Sequence, residues 1–597
     1  MRYNILTSAI LAATAGSVAN AQLNKEITIE REIVPEVRAA SRLDIFPKAL
    51  TINTSATDLR FMDHTAPSAL TPGLDILSPA ATTAAIAQTP YRGYLDAGYF
   101  PAATVGVSAG YAAVASDRTN LNVWGQFNNL SYKKSPYADL EKITYKQLYG
   151  ALGVNFAQHI GEAGILSVST DFAYRGYDNL DALLENSVSD VSDRIKTGQG
   201  TLKWNIGAGW NGHNTTGLKY HADLKFGIFN FTKTPVAVNA FAAPGYSTGN
   251  FEVAPVHESS FAAAFGASQT IGDDHRAGVE LSGDFAHYNH FRDQSVSVLE
   301  GATAKDARAY ADAEAKTIGL VTLAPYYRYS PVGGLVSLKA GVRVDLSVNS
   351  GKAVHVAPDI LFGLNPASGF GAWLRIDGGE HMNRLQELSE FTPYVSPLMA
   401  YRNSGIPVKG ELGLRIGPFK GAALTLDVAY AAANSWLMPA FEEETMQILF
   451  NTQDLRSWKA GVHATWDYRS IVSLEAGFET LLANDRDRAW FNWLDRSRSR
   501  LTASVSIRPI SQLTIDLGYT MALHRRMTLM SADAPDTPRG EFDLKNRNLL
   551  NVGASYAITD AFSVFARVEN ILNDKAYHAV AVPSQGITGA IGFGWKF

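Results

Sequence analysis

The chain of 597 residues carries 52 Lys and Arg against 57 Asp and Glu, a formal net charge of -5, and no cysteine. Absent cysteine removes disulfides, thiolate metal sites, thiol catalysis and a lipoprotein anchor, and the mild acidity gives no reason to expect nucleic acid as a partner. Length alone would suggest several soluble domains, but 50 Gly, 25 Tyr, 28 Phe and 10 Trp suit long strands with aromatic girdles, and a mean hydropathy of -0.06 is what alternating apolar and polar faces average to.

The N-terminus has the marks of an export signal. Arg2 supplies a positive charge, Ile5 to Ala15 is a short apolar run, and Ala19-Asn20-Ala21 is a small-residue cleavage site. Residues 1–21 are therefore expected to be a signal peptide, with the mature chain starting at Gln22. No later stretch offers the run of about 20 apolar residues that a spanning helix needs. Gln22 to Pro90 shows little alternation beyond Glu26 to Glu30 and is rich in Ala, Thr, Pro and Leu. It is expected to be a mostly irregular extension.

From about Arg92 onward the pattern is that of long strands. Val336, Leu338, Ala340, Val342, Val344, Leu346 and Val348 fall on one face, and Ser337, Lys339, Gly341, Arg343, Asp345 and Ser347 on the other. Leu424 to Tyr430, Leu501 to Ile507 and Leu513 to Leu523 alternate in the same way. Such strands exceed the roughly 5–6 residues usual in soluble sheets and fit tilted membrane-spanning strands of about 9–11 residues with extensions.

The connections alternate as well. Tyr329 to Gly334, Ile416 to Gly421, Arg508 to Ser511 and Ala557 to Asp560 are tight and carry Pro, Gly, Ser or Asp as turns require. Between them Tyr177 to Arg194, Lys233 to Ala254, Phe291 to Lys316, Gly379 to Pro407, Ala431 to Asp454 and Arg525 to Gly540 read as long loops, and Lys305 to Lys316 as a short outer helix. Short periplasmic turns opposite long extracellular loops are the asymmetry of outer-membrane barrels. Residues 91–597 are thus expected to form an all-β, antiparallel transmembrane barrel of about 22 strands, with the C-terminus on the periplasmic side. The extension Gln22 to Pro90 is expected to sit in or under its lumen.

Candidate chemistry is sparse. Gly106-Val107-Ser108-Ala109-Gly110 has the spacing of a hydrolase elbow, but alternation runs on through Tyr111 and Val114, so Ser108 is read as a strand residue and no catalytic residue is assigned. One strand face carries Lys219, His221, Asp223 and Lys225; others carry Lys339, Arg343 and Asp345; Lys409, Glu411 and Arg415; Lys459, His463 and Asp467; Glu475 and Glu479; and Arg567 and Glu569. These line the lumen, either as a solute path or, as their mixed signs favour, as cross-strand ion pairs. Asp178, Asp181, Glu185, Asp190 and Asp193 make an acidic loop whose carboxylates are of the kind Ca²⁺ takes, but without EF-hand spacing they, and Glu442 to Glu444, are read as solvated acidic segments. No metal or cofactor site is expected. Trp458, Trp466, Tyr468, Trp595 and Phe597 read as interfacial girdle residues on the lipid face.

The C-terminus is the most specific stretch. Phe565-Ala566-Arg567-Val568-Glu569-Asn570-Ile571-Leu572-Asn573-Asp574-Lys575-Ala576-Tyr577 is followed by the Pro583 to Gly586 turn. A final strand then puts Ile587, Ile591, Phe593, Trp595 and Phe597 on one face. This resembles the closing strands of TonB-dependent receptors of the Gram-negative outer membrane. The resemblance implies a bacterial outer-membrane receptor-like barrel that touches lipid and binds or transports a solute. Receptors of that family carry an N-terminal plug that Gln22 to Pro90 is too short to hold, so a plug-less relative, similar to receptor-like barrels of Bacteroidetes, is the expectation. Glu26 to Glu32 resembles only faintly the short motif that pairs with TonB. The alternative is a structural or accessory barrel that docks surface or periplasmic lipoproteins or assembly machinery. An enzyme is not expected.

Overall fold

The structure, a computed structural model, describes residues 91–100, 104–134, 143–161, 164–178, 198–232, 236–237, 251–252, 257–289, 317–332, 334–395, 403–442, 447–482, 497–530, 540–576 and 584–597. Among these, the strands from Gly93–Phe100 to Thr588–Lys596 pair antiparallel with their neighbours in chain order, apart from the short pair Val236–Ala237 and Phe251–Glu252 and a hairpin at 525–544 that Leu513–Leu523 and Arg547–Ala557 pass over to pair, and the last closes on the first, Tyr94 lying opposite Lys596 and Tyr99 opposite Ile591. The result is a closed barrel of 22 strands. At the seam Gly93 N donates to Phe597 O at 2.7 Å and Phe597 N to Gly93 O at 2.9 Å, so the last residue is itself part of the wall. Closure leaves no sheet edge exposed to lipid, where an unpaired N–H or C=O has no water to bond.

The alternation read from the sequence is the alternation of the wall. Val342, Leu346, Phe261, Phe265, Leu426, Ile591 and Trp595 face outward and are exposed to the surroundings. Ser337, Asp345, Glu258, Ser260 and Lys409, on the opposite parity of their strands, are buried inside. No helix among the described residues is long and apolar enough to cross a membrane. The girdle residues Trp458, Trp466, Tyr468, Trp595 and Phe597 all lie on the outer face and exposed.

Tight turns close one rim, at 116–118, 214–217, 272–274, 420–421, 469–471 and 511–512 among others. Their chemistry is local. Asn214 Oδ1 accepts from Thr216 N and Leu218 N (3.1 and 2.8 Å), and Gly217 takes φ +86°. Gly421 sits at φ +85° against the Asp467 carbonyl, where a Cβ would stand only 2.0 Å away.

The opposite rim differs from the sequence expectation in three places. Ala431 to Asp454 is not a long loop. Strands Ala422–Glu442 and Gln447–Tyr468 run through it, 21 and 22 residues long. A bulge between Ala433 and Trp436, with Ser435 at φ +51°, shifts the register. One extra residue exchanges the two faces, which hides the continuation from any test of strict alternation. Arg525 to Gly540 contains the first strand of a hairpin, Arg525–Met530 paired with Gly540–Leu544. Gly379 to Pro407 is also shorter than expected. Its flanking strands reach His381 and resume at Ser404, and residues 382–395 turn inward. The expected loops at 179–197 and 290–316, the helix within the latter, and the whole of 1–90 lie outside the described residues.

Candidate functional site

Residues 382–395 form a strap inside the barrel. Its centre is the helix Leu385–Phe391, LQELSEF. Leu, Gln and Glu favour helix, but one so short is marginal alone in water, so packing must hold it. Leu385 and Leu388, one turn apart on the same face, are buried at 0% and 2% exposure. The helix stops at Thr392, which is extended at φ -148°, as expected for a residue preceding proline. Tyr394 is buried. Burial pushes its hydroxyl well above the ordinary tyrosine range, so it stays neutral.

The N-terminal end of this helix has no local cap. Arg384, at the N-cap, makes no side-chain capping bond. Glu258, on the far wall and wholly buried, takes that role: its Oε2 accepts from Gln386 N at 3.2 Å. At the other end Arg175 Nη1 donates to the Ser389 carbonyl at 3.0 Å, and Lys203 pairs with Glu390. A carboxylate at the helix start and two cations at its end match the polarity of the helix. Gln386 Nε2 also reaches Asn205 Oδ1 (3.4 Å), and Tyr394 meets Tyr177 edge to face at 5.7 Å. The strap therefore leaves the wall between strands Phe370–His381 and Ser404–Phe419 and docks on strands Gly164–Asp178, Gly198–His213 and His257–Ile271.

Its base is fixed by a second network. Asp345, wholly buried, accepts from Thr322 Oγ1 (2.5 Å), Arg343 Nε (2.8 Å) and Glu380 N (2.6 Å), while Arg343 Nη2 donates to the Glu380 carbonyl (3.0 Å). On the returning side Asn383 Nδ2 donates to Ser404 Oγ, Ser404 Oγ to the Ser435 carbonyl, and Ser435 N to Asp454 Oδ1, each at 2.9 Å.

Above the rim the outer hairpins join the strap. Ile448 N donates to the Tyr394 carbonyl at 2.8 Å, and Val395 bridges Ile448 in parallel. The Ala440 to Glu442 end of the neighbouring strand pairs in parallel with Thr528 to Met530. That pairing skips the barrel strands between the two, so both hairpins have left the wall and meet. Beneath them Ala431, Ala433, Trp436, Met438 and Leu455 form a buried cluster with Ile406 against it.

The lumen charges singled out from the sequence do face inward, and many have a partner on the wall. Lys459 pairs with Glu479 (2.9 Å) and Arg567 with Glu569 (3.5 Å), while the His463 imidazole meets Glu475 (2.8 Å); Lys339 and His221 find Asp359 (2.7 Å) and Glu280 (3.1 Å), and Arg375 pairs with Asp377 (2.7 Å), carboxylates and an arginine that were not singled out. This supports the ion-pair reading over a pore of one dominant sign. Ser108 lies inside an unbroken strand, Thr104–Ala115, opposite Asp96, facing the lumen. Asp178 and Glu442 end their strands; Asp181, Glu185, Asp190, Asp193, Glu443 and Glu444 lie outside the described residues. Among the described residues no group of His, Asp and Glu has the arrangement of a metal site. The C-terminal motif has a structural role. Asn570, at φ +49°, donates to the Asp574 carbonyl and accepts from Asp574 N (both 2.9 Å), and Asp574 Oδ2 accepts from Asn548 N (2.6 Å), tying the outer end of the penultimate strand.

The sequence reading missed Arg175, Lys203, Glu258 and Glu390. The first three are single charged residues on the lumen faces of their strands, and nothing local marks them as partners of a segment more than a hundred residues further along the chain.

No protein-family model matches the sequence, and no curated protein does. Solved structures do. A variant of the ferric enterobactin receptor PfeA from Pseudomonas aeruginosa is 11% identical with a TM-score of 0.61, over 85% of this chain and 81% of that one. The siderophore receptor PirA from Acinetobacter baumannii is 10% identical with a TM-score of 0.61, over 85% and 81%. The FrpB iron transporter from Neisseria meningitidis is 12% identical with a TM-score of 0.60, over 86% and 82%. The chain therefore has the outer-membrane barrel fold of TonB-dependent receptors, as the C-terminal residues led one to expect.

Proposed function

We propose that this protein is an outer-membrane receptor that binds a small solute from outside and admits it through the barrel, with the strap as an obstruction that must move. The observation that carries the reading is the strap itself: a folded segment across the lumen of a barrel wide enough to conduct, held by polar contacts and by a few buried apolar side chains. Two of the neighbouring structures are a ferric enterobactin receptor and a siderophore receptor, which favours a solute of that size. Gln22 to Pro90 enters the proposal as an extension in or under the lumen, without a full plug.

Planar-bilayer conductance of the purified protein tests this. Replacing residues 383–402 by a short Gly-Ser linker should convert a closed or flickering barrel into one with large steady conductance. Deleting residues 22–90 while keeping the strap should raise conductance less. If the strap-deleted barrel folds and stays closed, the receptor reading fails. Should that closed barrel also co-purify with a lipoprotein, the accessory role takes its place.

A further inference from the structure

We propose that Arg175 and Lys203 form an anion-binding site in the lumen, occupied here by the strap's own Glu390, and that an anionic solute binds by displacing that carboxylate and so loosens the strap. The inference rests on the receptor reading and adds to it a ligand class and a release mechanism.

The two cations stand on neighbouring strands. Arg175 lies opposite Thr201 and Lys203 opposite Ala173, so they are diagonal neighbours on the lumen face, roughly 7–8 Å apart at the backbone. Like charges so placed repel and favour an anion between them. Asp171, on the same lumen face and diagonal to Lys203 on its other side, accepts from Asn205 Nδ2 at 2.9 Å. The strap supplies the anion instead: the Glu390 carboxylate to Lys203 and the Ser389 carbonyl to Arg175 at 3.0 Å. Arg175 also lies 5.7 Å over the ring of Tyr149, which gives the site an aromatic wall.

The occupant is exchangeable. The Glu390 and Lys203 side chains keep 53% and 27% exposure, so solvent reaches the contact, and an ion pair this open is weak. From the strap Arg175 meets the Ser389 carbonyl oxygen. A ligand with two or more carboxylate or phosphate groups would offer Lys203 an equal partner and Arg175 a charged, bidentate one, which is the stronger contact. The helix is asymmetric in the same sense. Its N-terminal half is held by buried Glu258 and by Leu385 and Leu388, and the exposed ion pair is at its C-terminal end. Displacement therefore frees Ser389 and Glu390 first.

The chain lacks cysteine, so one introduced thiol reports on the strap. In full-length protein reconstituted in liposomes, Ser389→Cys places a thiol at a position that is 5% exposed. Its labelling rate with a water-soluble maleimide is measured against citrate at constant ionic strength, with glucose as control. Citrate should raise the rate at least about fivefold and saturably; glucose should not. Glu390→Gln should raise the rate without citrate, and Lys203→Gln should abolish the citrate response. Arg175→Lys, which keeps the charge and loses the fork, should move the citrate midpoint up about tenfold. A rate that citrate leaves unchanged in a barrel that is heat-modifiable and folded would overturn the proposal, as would wild-type labelling of the Glu390→Gln variant. Labelling needs no conduction, so failure here is separable from failure of the receptor reading, which the strap-deletion conductance tests.

Discussion

The base of the strap gives the sharpest energetic prediction, through Asp345→Asn. In the native barrel this wholly buried carboxylate accepts three hydrogen bonds, from Thr322, Arg343 and the Glu380 amide. Asparagine keeps the shape but removes the charge and replaces one acceptor oxygen by a donor, which then faces either the Glu380 N–H or the Thr322–Arg343 side. Breaking a buried pair by neutralising one partner costs about 3–5 kcal/mol. The Arg343 side chain is 33% exposed and rehydrates in part, which brings the expectation to the low end, about 3 kcal/mol. Thr322→Val, which removes one donor from the same carboxylate, should cost about 1–2 kcal/mol. Urea unfolding of the barrel from lipid vesicles, read by tryptophan emission, measures both. Because Arg343 also holds the Glu380 carbonyl, Asp345→Asn should loosen the strap and speed labelling of Ser389→Cys. A loss below about 1 kcal/mol for Asp345→Asn, or equal losses for the two variants, would refute the argument that a buried charge organises this junction.

Three further outcomes are expected. Leu388→Ala removes a buried strap side chain at a cost of about 2–5 kcal/mol; the loss should appear as faster strap labelling and more frequent conducting events, with the barrel's own unfolding midpoint little changed. Val342→Arg, on the lipid face, should destabilise the barrel by about 2–4 kcal/mol, whereas Ser337→Asn on the lumen face of the same strand should cost much less, and similar losses for the two would contradict the assigned faces. Asn570→Ala removes the bonds to Asp574 and Ser584, which should weaken the outer turn by about 2 kcal/mol and expose the Lys575 bond to trypsin on intact vesicles.

Where a residue's environment is fixed by its immediate neighbours, the sequence was readable. Val336 to Val348 alternates because one side meets lipid and the other the lumen, and the period of two survives along the whole strand. The tight turns were readable for the same reason: Pro, Gly and Asn impose their backbone wherever they stand. Strand Ala422–Glu442 shows how the signal is lost. Its first half alternates cleanly up to Tyr430. The three alanines Ala431, Ala432 and Ala433 then carry little contrast, and the bulge at Asn434 and Ser435 exchanges the faces. Trp436, Leu437 and Met438 come next as a continuous buried run, so no single periodicity fits the strand.

The strap was hidden for a different reason. Met382 to Tyr394 contains Leu385 and Leu388 at helical spacing and acidic Glu387 and Glu390 on the remaining surface, a pattern that any short surface helix could show. What makes it an interior element is that its partners come from strands far away in sequence: Arg175, Lys203 and Glu258 precede it by more than a hundred residues. Each looks locally like another charge on a lumen face, of the kind that Lys339, Arg375 and Lys459 satisfy within the wall. Lys339, Arg375 and Lys459 pair with a carboxylate one strand away or two residues along, at Asp359, Asp377 and Glu479. Arg175 and Lys203 instead take the Ser389 carbonyl and the Glu390 carboxylate from the strap. Register alone does not forecast which cation something else comes to meet: Lys203 stands to Asp171 as Lys339 stands to Asp359, one strand away and two positions along. Here a piece of the chain meets Lys203, and the proposed ligand would do so in its place.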